Sequence, residues 1–204
     1  MSLQKLLIIV DGPTEENALR NRFLKDYNDS PKIRLGPGNG KDYSIGGYIK
    51  GILPTLIFEL SLNSRAIILI PDLERRKMKI ENFRDNLREK CIDALVSNSK
   101  FKKEDLIEKI FICPPNIMFE NWIVSDIKTI SIECSEFDSE VKQEKFDGRH
   151  GTSILEKNMN CKYKKTVHGS KFFKKTDFTI SSSNSDSFAY FLERFAVLKA
   201  QFCD

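Results

Sequence analysis

A chain of 204 residues with 40% hydrophobic and 30% charged side chains is long enough for one packed domain and too apolar to be disordered throughout. Its net charge of +4 is too small to select a class of partner. The five cysteines (Cys91, Cys113, Cys134, Cys161 and Cys203) are odd in number and hold no C-x-x-C pair. That pattern argues against a zinc site and a secreted disulfide framework, and leaves reduced thiols in a cytoplasm as the expectation. No apolar run approaches membrane-spanning length, so no membrane association is expected.

The first element is the continuous apolar run Leu6-Leu7-Ile8-Ile9-Val10, which reads as a strand buried on both faces of a parallel sheet. It is too short for the apolar region of a signal peptide and runs straight into Asp11-Gly12-Pro13-Thr14-Glu15. Proline suits the first helical position and Glu15 the first turn, where a carboxylate favours the helix dipole. A helix with Leu19, Phe23 and Tyr27 on one face follows.

A short strand at residues 32–35 leads into a loop containing Gly36, Gly38, Gly40, Gly46 and Gly47, and then into a helix over residues 48–62. Within that loop, Gly36 to Lys41 is spaced G-x-x-x-G-K and followed by Asp42. It therefore lacks both the spacing and the hydroxyl of a phosphate-binding P-loop. Residues 66–70 (A-I-I-L-I) form the second buried strand and end at Pro71-Asp72-Leu73-Glu74.

Ile80, Phe83, Leu87, Cys91 and Leu95 have helical spacing, and residues 109–113 read as a short strand. A helix starting at Asn116 carries Glu120 and Trp122, with Trp122 expected in the core. From residue 127 to about 179 the periodicity fades, which suggests an insertion with short strands. Residues 181–187 read as a loop. A final helix uses Phe188, Phe191, Phe195 and Leu198. Strands alternating with helices imply a single α/β domain spanning residues 1–204.

Ligands of open α/β sheets bind beyond the carboxyl ends of the strands. Asp11 follows the first buried strand, and Asp72 and Glu74 follow the second. Hard cations such as Mg²⁺ or Mn²⁺ take carboxylate oxygens, so these three acids are the candidate metal ligands. Helix capping by Asp72 is the structural alternative. Between residues 149 and 175 eight basic side chains face one acid, Glu156. This excess suits a polyanion and equally suits a solvated loop; its candidate nucleic-acid contacts are Lys162, Lys164, Lys165, Lys171, Lys174 and Lys175.

The segments L-L-I-I-V-D-G-P-T-E (residues 6–15) and I-I-L-I-P-D-L-E (residues 67–74) resemble the two acidic motifs of TOPRIM domains. This module occurs in topoisomerases, primases and nucleases of the overcoming-lysogenization-defect type. P-N-I-M-F-E-N-W-I-V-S-D (residues 115–126) and Y-K-K-T-V-H-G (residues 163–169) are similar to an uncharacterised bacterial TOPRIM-like family. The resemblance implies a TOPRIM-like, Rossmann-like fold and a Mg²⁺-dependent nuclease, with phage or plasmid defence by analogy.

It also implies an acid/base or metal-ligand role for Asp11 and favours a functional role for Glu120. The remaining catalytic candidates are Glu15 and Lys165, the latter as a cation that contacts phosphate or neutralises a transition state. Asp11 stands where the family has glutamate, and Glu74 where it has aspartate. The competing expectation is an inactive module that binds nucleic acid or protein and works beside a separate ATPase. A phosphohydrolase of small molecules is the third.

Overall fold

The structure, a computed structural model, describes residues 2–37, 44–62, 66–74, 76 and 78–203. A 3-10 turn (Leu3–Lys5) opens the chain. Four strands, β1 (Leu6–Val10), β2 (Lys32–Leu35), β3 (Ala66–Ile70) and β4 (Ile110–Ile112), form one all-parallel sheet in the order β2-β1-β3-β4. Register runs Ile33–Ile8–Ile68–Phe111 across the sheet.

Every residue of β1 and β3 is buried, as their unbroken apolar sequences anticipate. Strand periodicity divides them between two cores. Leu6, Ile8 and Val10 face one layer, and Leu7 and Ile9 face the other. The second layer consists of α2 (Ile45–Ser61) and α3 (Ile80–Asn98), through Tyr48, Ile52, Leu56, Phe83 and Leu87.

The first layer begins with α1 (Pro13–Tyr27), which buries Ala18, Leu19 and Phe23. After α1 the chain moves outward to β2; α2 and α3 then carry it the other way, to β3 and β4. Crossovers of one hand that run in opposite directions leave helices on opposite faces. The reversal falls between β1 and β3, and the loops leaving those two strands part there. This α/β architecture is consistent with a Rossmann-like fold.

A short helix, α4 (Lys103–Ile107), precedes β4. Arg88 of α3 donates to the Ile107 carbonyl and, at 2.9 Å, to the Ile110 carbonyl on the outer side of β4. The helix expected from Asn116 begins later, as α5 (Glu120–Val124). Ile117 has a left-handed φ of 81°, which an L residue does not sustain within a helix.

Residues 127–179 hold no strand among the described residues, contrary to expectation. They contain α6 (Ile127–Glu133), α7 (Gly151–Asn158), a π-helical turn (Lys165–Gly169), α8 (Ser170–Lys175) and the start of α9 (Phe178–Asn184). Their apolar side chains Ile127, Phe137, Phe146, Leu155, Tyr163, Phe172 and Phe173 join the core that packs on β1. The serine-rich stretch expected as a loop is largely α9. The Asp177 carboxylate starts it by accepting from the N–H groups of Thr179 and Ile180.

The last helix, α10 (Asp186–Cys203), buries Phe188, Phe191, Phe195 and Leu198 as its spacing predicts. Trp122 is fully buried between Phe188 and Phe191, with ring centroids 5.2 and 5.0 Å away. Its indole N–H reaches the Ser187 hydroxyl at 3.0 Å, so the ring is a satisfied core residue. No helix among the described residues is long and apolar enough to cross a membrane.

Candidate active site

Asp11 leaves β1 and Asp72 leaves β3 on either side of the reversal point, and the fold brings them into contact. Asp11 Oδ2 accepts from the Asp72 backbone N–H at 2.9 Å. Asp72 Oδ1 accepts from the Phe119 N–H at 3.0 Å, which ties the end of β3 to the entry of α5. Two more acids close the group: Glu15, from the first turn of α1, and Glu120, the first residue of α5. All four are buried, with exposures of 8% for Asp11, 5% for Glu15, 6% for Asp72 and 1% for Glu120.

The electrostatics follow from that crowding. Burial, reinforced by Glu74, pushes the Asp11 carboxyl from its ordinary 3.8 up to about 6, against the Asp72 N–H and Arg76. Burial and the neighbouring charges of Glu120 and Asp11 push Glu15 from 4.5 up to about 7, while its own N–H and Lys165 oppose the rise. Burial together with Glu15, Asp11 and Glu120 raises Asp72 well above the usual carboxylate range. Burial works against the charge of Lys165, but the acids Glu120, Asp72 and Glu15 outweigh it and raise the ammonium's pKa.

Lys165 and Tyr163 converge on one oxygen. Glu120 Oε1 accepts from the Tyr163 hydroxyl at 3.2 Å and lies 3.4 Å from Lys165 Nζ. Glu120 Oε2 and Asp11 Oδ1 are buried and have no hydrogen-bond partner. The π-helical turn that carries Lys165 packs so tightly on α1 that a Cβ at Gly169 would overlap the Thr14 methyl and lie 3.2 Å from the Tyr163 hydroxyl.

The four expected catalytic residues, Asp11, Glu15, Glu120 and Lys165, therefore lie in one cluster. The expected metal trio of Asp11, Asp72 and Glu74 is not reproduced as such. Glu74 sits in a left-handed turn (φ 37°) pinned by its N–H to the Ile117 carbonyl at 2.6 Å. Its charge acts on Asp11, but the acids acting most strongly on Asp72 are Glu15, Asp11 and Glu120. Among the described residues, no three His, Cys, Asp or Glu side chains are arranged to hold one metal ion.

Mg²⁺, however, is commonly held by only one or two carboxylates, with water and substrate phosphate filling the rest of its shell. Two unpartnered buried carboxylate oxygens fit that donor chemistry, and the shared repulsion of four acids fits a cation. Asp11 and Asp72 are the residues that could hold such an ion, with Glu120 beside them.

The basic segment is partly neutralised. Lys171 pairs with Glu136 and Lys175 with Glu133, as Lys165 does with Glu120. Lys162, Lys164 and Lys174 make no such pair among the described residues. His168 accepts from the Lys164 N–H at 2.9 Å and stacks on Phe172, a packing role.

Asp126 is fully buried away from this site and accepts from the Asp177 N–H at 2.6 Å, joining α6 to α9. The lookalike P-loop lies mostly outside the described residues; Gly46 and Gly47 belong to α2.

Sequence reasoning missed Tyr163, Arg76 and Tyr48. Arg76 donates to the Asp72 carbonyl. The Tyr48 hydroxyl is buried without a partner, and after burial itself the strongest influence on it is the Asp11 charge. Only the Y-K-K-T-V-H-G motif gave a signal for any of these three, by placing Tyr163 two residues before Lys165.

A pH dependence follows. The folded pKa values of Asp11 and Glu15 lie above their unfolded values, so their contribution to stability is full below about pH 4 and is lost as pH rises through about 6 and 7. In a chelating buffer the melting temperature is expected to fall between pH 5 and pH 8 by roughly 5–10 °C. Adding Mn²⁺ at pH 8 is expected to restore most of it. Melting curves that are flat over this range, and indifferent to Mn²⁺, count against a repulsive carboxylate group.

Comparison with known proteins found no family model, curated protein or solved structure that matches the chain.

Proposed function

We propose that this chain is a TOPRIM-like enzyme that cuts phosphodiester bonds in nucleic acid with the help of Mg²⁺ or Mn²⁺. The observation that carries the reading is the pair of buried, unpartnered oxygens, Asp11 Oδ1 and Glu120 Oε2, within a group of four acids at the carboxyl ends of β1 and β3. Unsatisfied buried acceptors are expensive, and a ligand supplied from outside the chain is the simplest account of them.

In this reading Asp11 and Asp72 hold the divalent ion, which when bound stabilises negative charge on phosphate oxygens. Glu15, pushed up to about 7, is suited to exchange protons near neutral pH and accepts the proton of the attacking water. The new bond joins that water oxygen to phosphorus, and the bond to the leaving sugar oxygen breaks. Lys165 is kept charged by the surrounding acids and places a positive charge beside the transferred phosphoryl group. Tyr163 fixes the orientation of Glu120 through its hydrogen bond.

Purified protein incubated with single- and double-stranded DNA and RNA is expected to cleave at least one of them with Mg²⁺ or Mn²⁺ and none with chelator. Equal, trace-level cleavage by wild type and Glu15→Gln would overturn the enzymatic reading. Metal-independent binding of the polymer without any cleavage would select the inactive binding module instead.

A further inference from the structure

A cavity of about 240 Å³ opens between residues 141–149 and α7, beside the carboxylate site but separate from it. Its lining has two parts. Val141, Phe146 and Ile154 supply apolar surface, and Lys142, Arg149 and Lys157 supply positive charge. The one acid in the lining, Glu144, pairs with Arg149 at 3.2 Å. Lys142 and Lys157 are exposed and make no ion pair among the described residues, so two positive charges remain uncompensated at the cavity mouth. Lys165, Lys171 and Lys175 are each already matched to a glutamate.

The cavity is also coupled mechanically to Glu120. Asn121, next in α5, donates from Nδ2 to the Arg149 carbonyl at 2.7 Å and to the Phe146 carbonyl at 3.3 Å. Gly151, at the start of α7, packs directly on the backbone of Glu120 and Asn121. A ligand seated in the cavity therefore lies next to the helix turn that presents Glu120.

We propose that this cavity is a nucleotide subsite: its apolar wall takes the flat base, and Lys142 and Lys157 take the phosphate. A bare phosphate uses only the cationic part and leaves the apolar wall wet, whereas a base with its attached phosphate satisfies both. The inference deepens the proposed cleavage activity by assigning the place where a nucleotide flanking the cut is held. It rests on that reading for its biological substrate but not for its test. Binding of a mononucleotide needs neither the divalent ion nor the acids.

The probes are AMP, UMP and inorganic phosphate, titrated in chelating buffer into isotope-labelled full-length protein and followed by amide NMR shifts. The nucleotides are expected to shift amides within residues 141–158 and to bind at least about fivefold more tightly than phosphate. Lys142→Glu/Lys157→Glu, two exposed changes, is expected to weaken nucleotide binding about tenfold or more while leaving the melting temperature unchanged. Asp72→Asn is expected to bind the mononucleotide as wild type does.

No shift in residues 141–158, equal affinity for phosphate and nucleotide, or full binding by the double variant each overturns the subsite. If the nucleotide binds there but no polymer is cut with any divalent ion, the subsite stands and the cleavage reading fails. If a polymer is cut equally well by the double variant, the cleavage reading stands and the subsite fails.

Discussion

Asp72→Asn is expected to lower divalent-ion-dependent cleavage on the order of a hundredfold or more, and at the same time to stabilise the protein in chelating buffer at pH 8. The two effects share one cause. Asp72 is buried among Glu15, Asp11 and Glu120, so ionising it in the absence of a cation is unfavourable. Asparagine keeps an oxygen to accept from the Phe119 N–H, so the link between β3 and α5 survives while the charge is removed. A gain of about 2 kcal/mol, or roughly 4–8 °C in melting temperature for a chain of this size, is the expected scale.

Thermal melts and cleavage assays on the same preparation check both halves. A variant that melts lower than wild type means that the Asp72 charge is already balanced in the fold. Undiminished cleavage means that Asp72 takes no part in the chemistry. Enzymes commonly give up stability where charge must be poised for a substrate, and this pair of measurements detects that exchange directly.

Gly151→Ala is expected to cost roughly 3 kcal/mol and to lower the melting temperature by about 6–12 °C, with cleavage lost as well. A Cβ at this position would lie 2.6 Å from the Glu120 carbonyl carbon and 2.7 Å from the Asn121 nitrogen. Both are backbone atoms, so no rotamer change relieves the overlap, and α7 must move away from α5. That movement displaces Glu120 from Tyr163 and Lys165. Gly46→Ala is the control. It adds the same methyl in the first turn of α2 with no atom within 4 Å, and is expected to leave stability equal or slightly higher. A Gly151→Ala protein as stable as this control contradicts the close packing of α7 on α5.

The parts of the fold readable in advance are those where one physical rule acts over several residues. The unbroken apolar runs of β1 and β3 meet helices on both faces, and the spacing of Phe188, Phe191, Phe195 and Leu198 in α10 spans several turns. The helices of residues 127–179 have between six and eight residues where they are complete, too few turns for a periodic pattern to emerge. Their burial depends on single aromatic side chains such as Phe137 and Phe172 finding the main core.

Local chemistry also misled. The serines of residues 181–183 suggest a loop, but the Asp177 cap upstream satisfies the first N–H groups and the helix forms.

The site divides in the same way. Asp11 and Asp72 are visible as acids at the ends of buried strands. Glu120 stands out only through motif resemblance and Lys165 also through the local excess of basic residues, and their meeting depends on where α5 and the turn before α8 pack. Tyr163 lies 43 residues from its partner Glu120, and no spacing rule joins them. Glu74 reads as a metal ligand because it follows the second buried strand in a D-x-E pair, but it sits in a left-handed turn that sequence spacing does not reveal.

The guanidinium of Arg88 has a bearing on how these molecules tolerate crowding. A border strand with idle carbonyls is an invitation for another polypeptide to add itself as an extra strand, the usual first step toward aggregation. Arg88 takes one of these groups out of play by occupying the Ile110 carbonyl on the free side of β4. At the opposite border, β2 carries the exposed Arg34, a charge that an approaching strand would have to strip of water. Side chains at both margins thus work against a fifth strand, while the two central strands keep every residue from water.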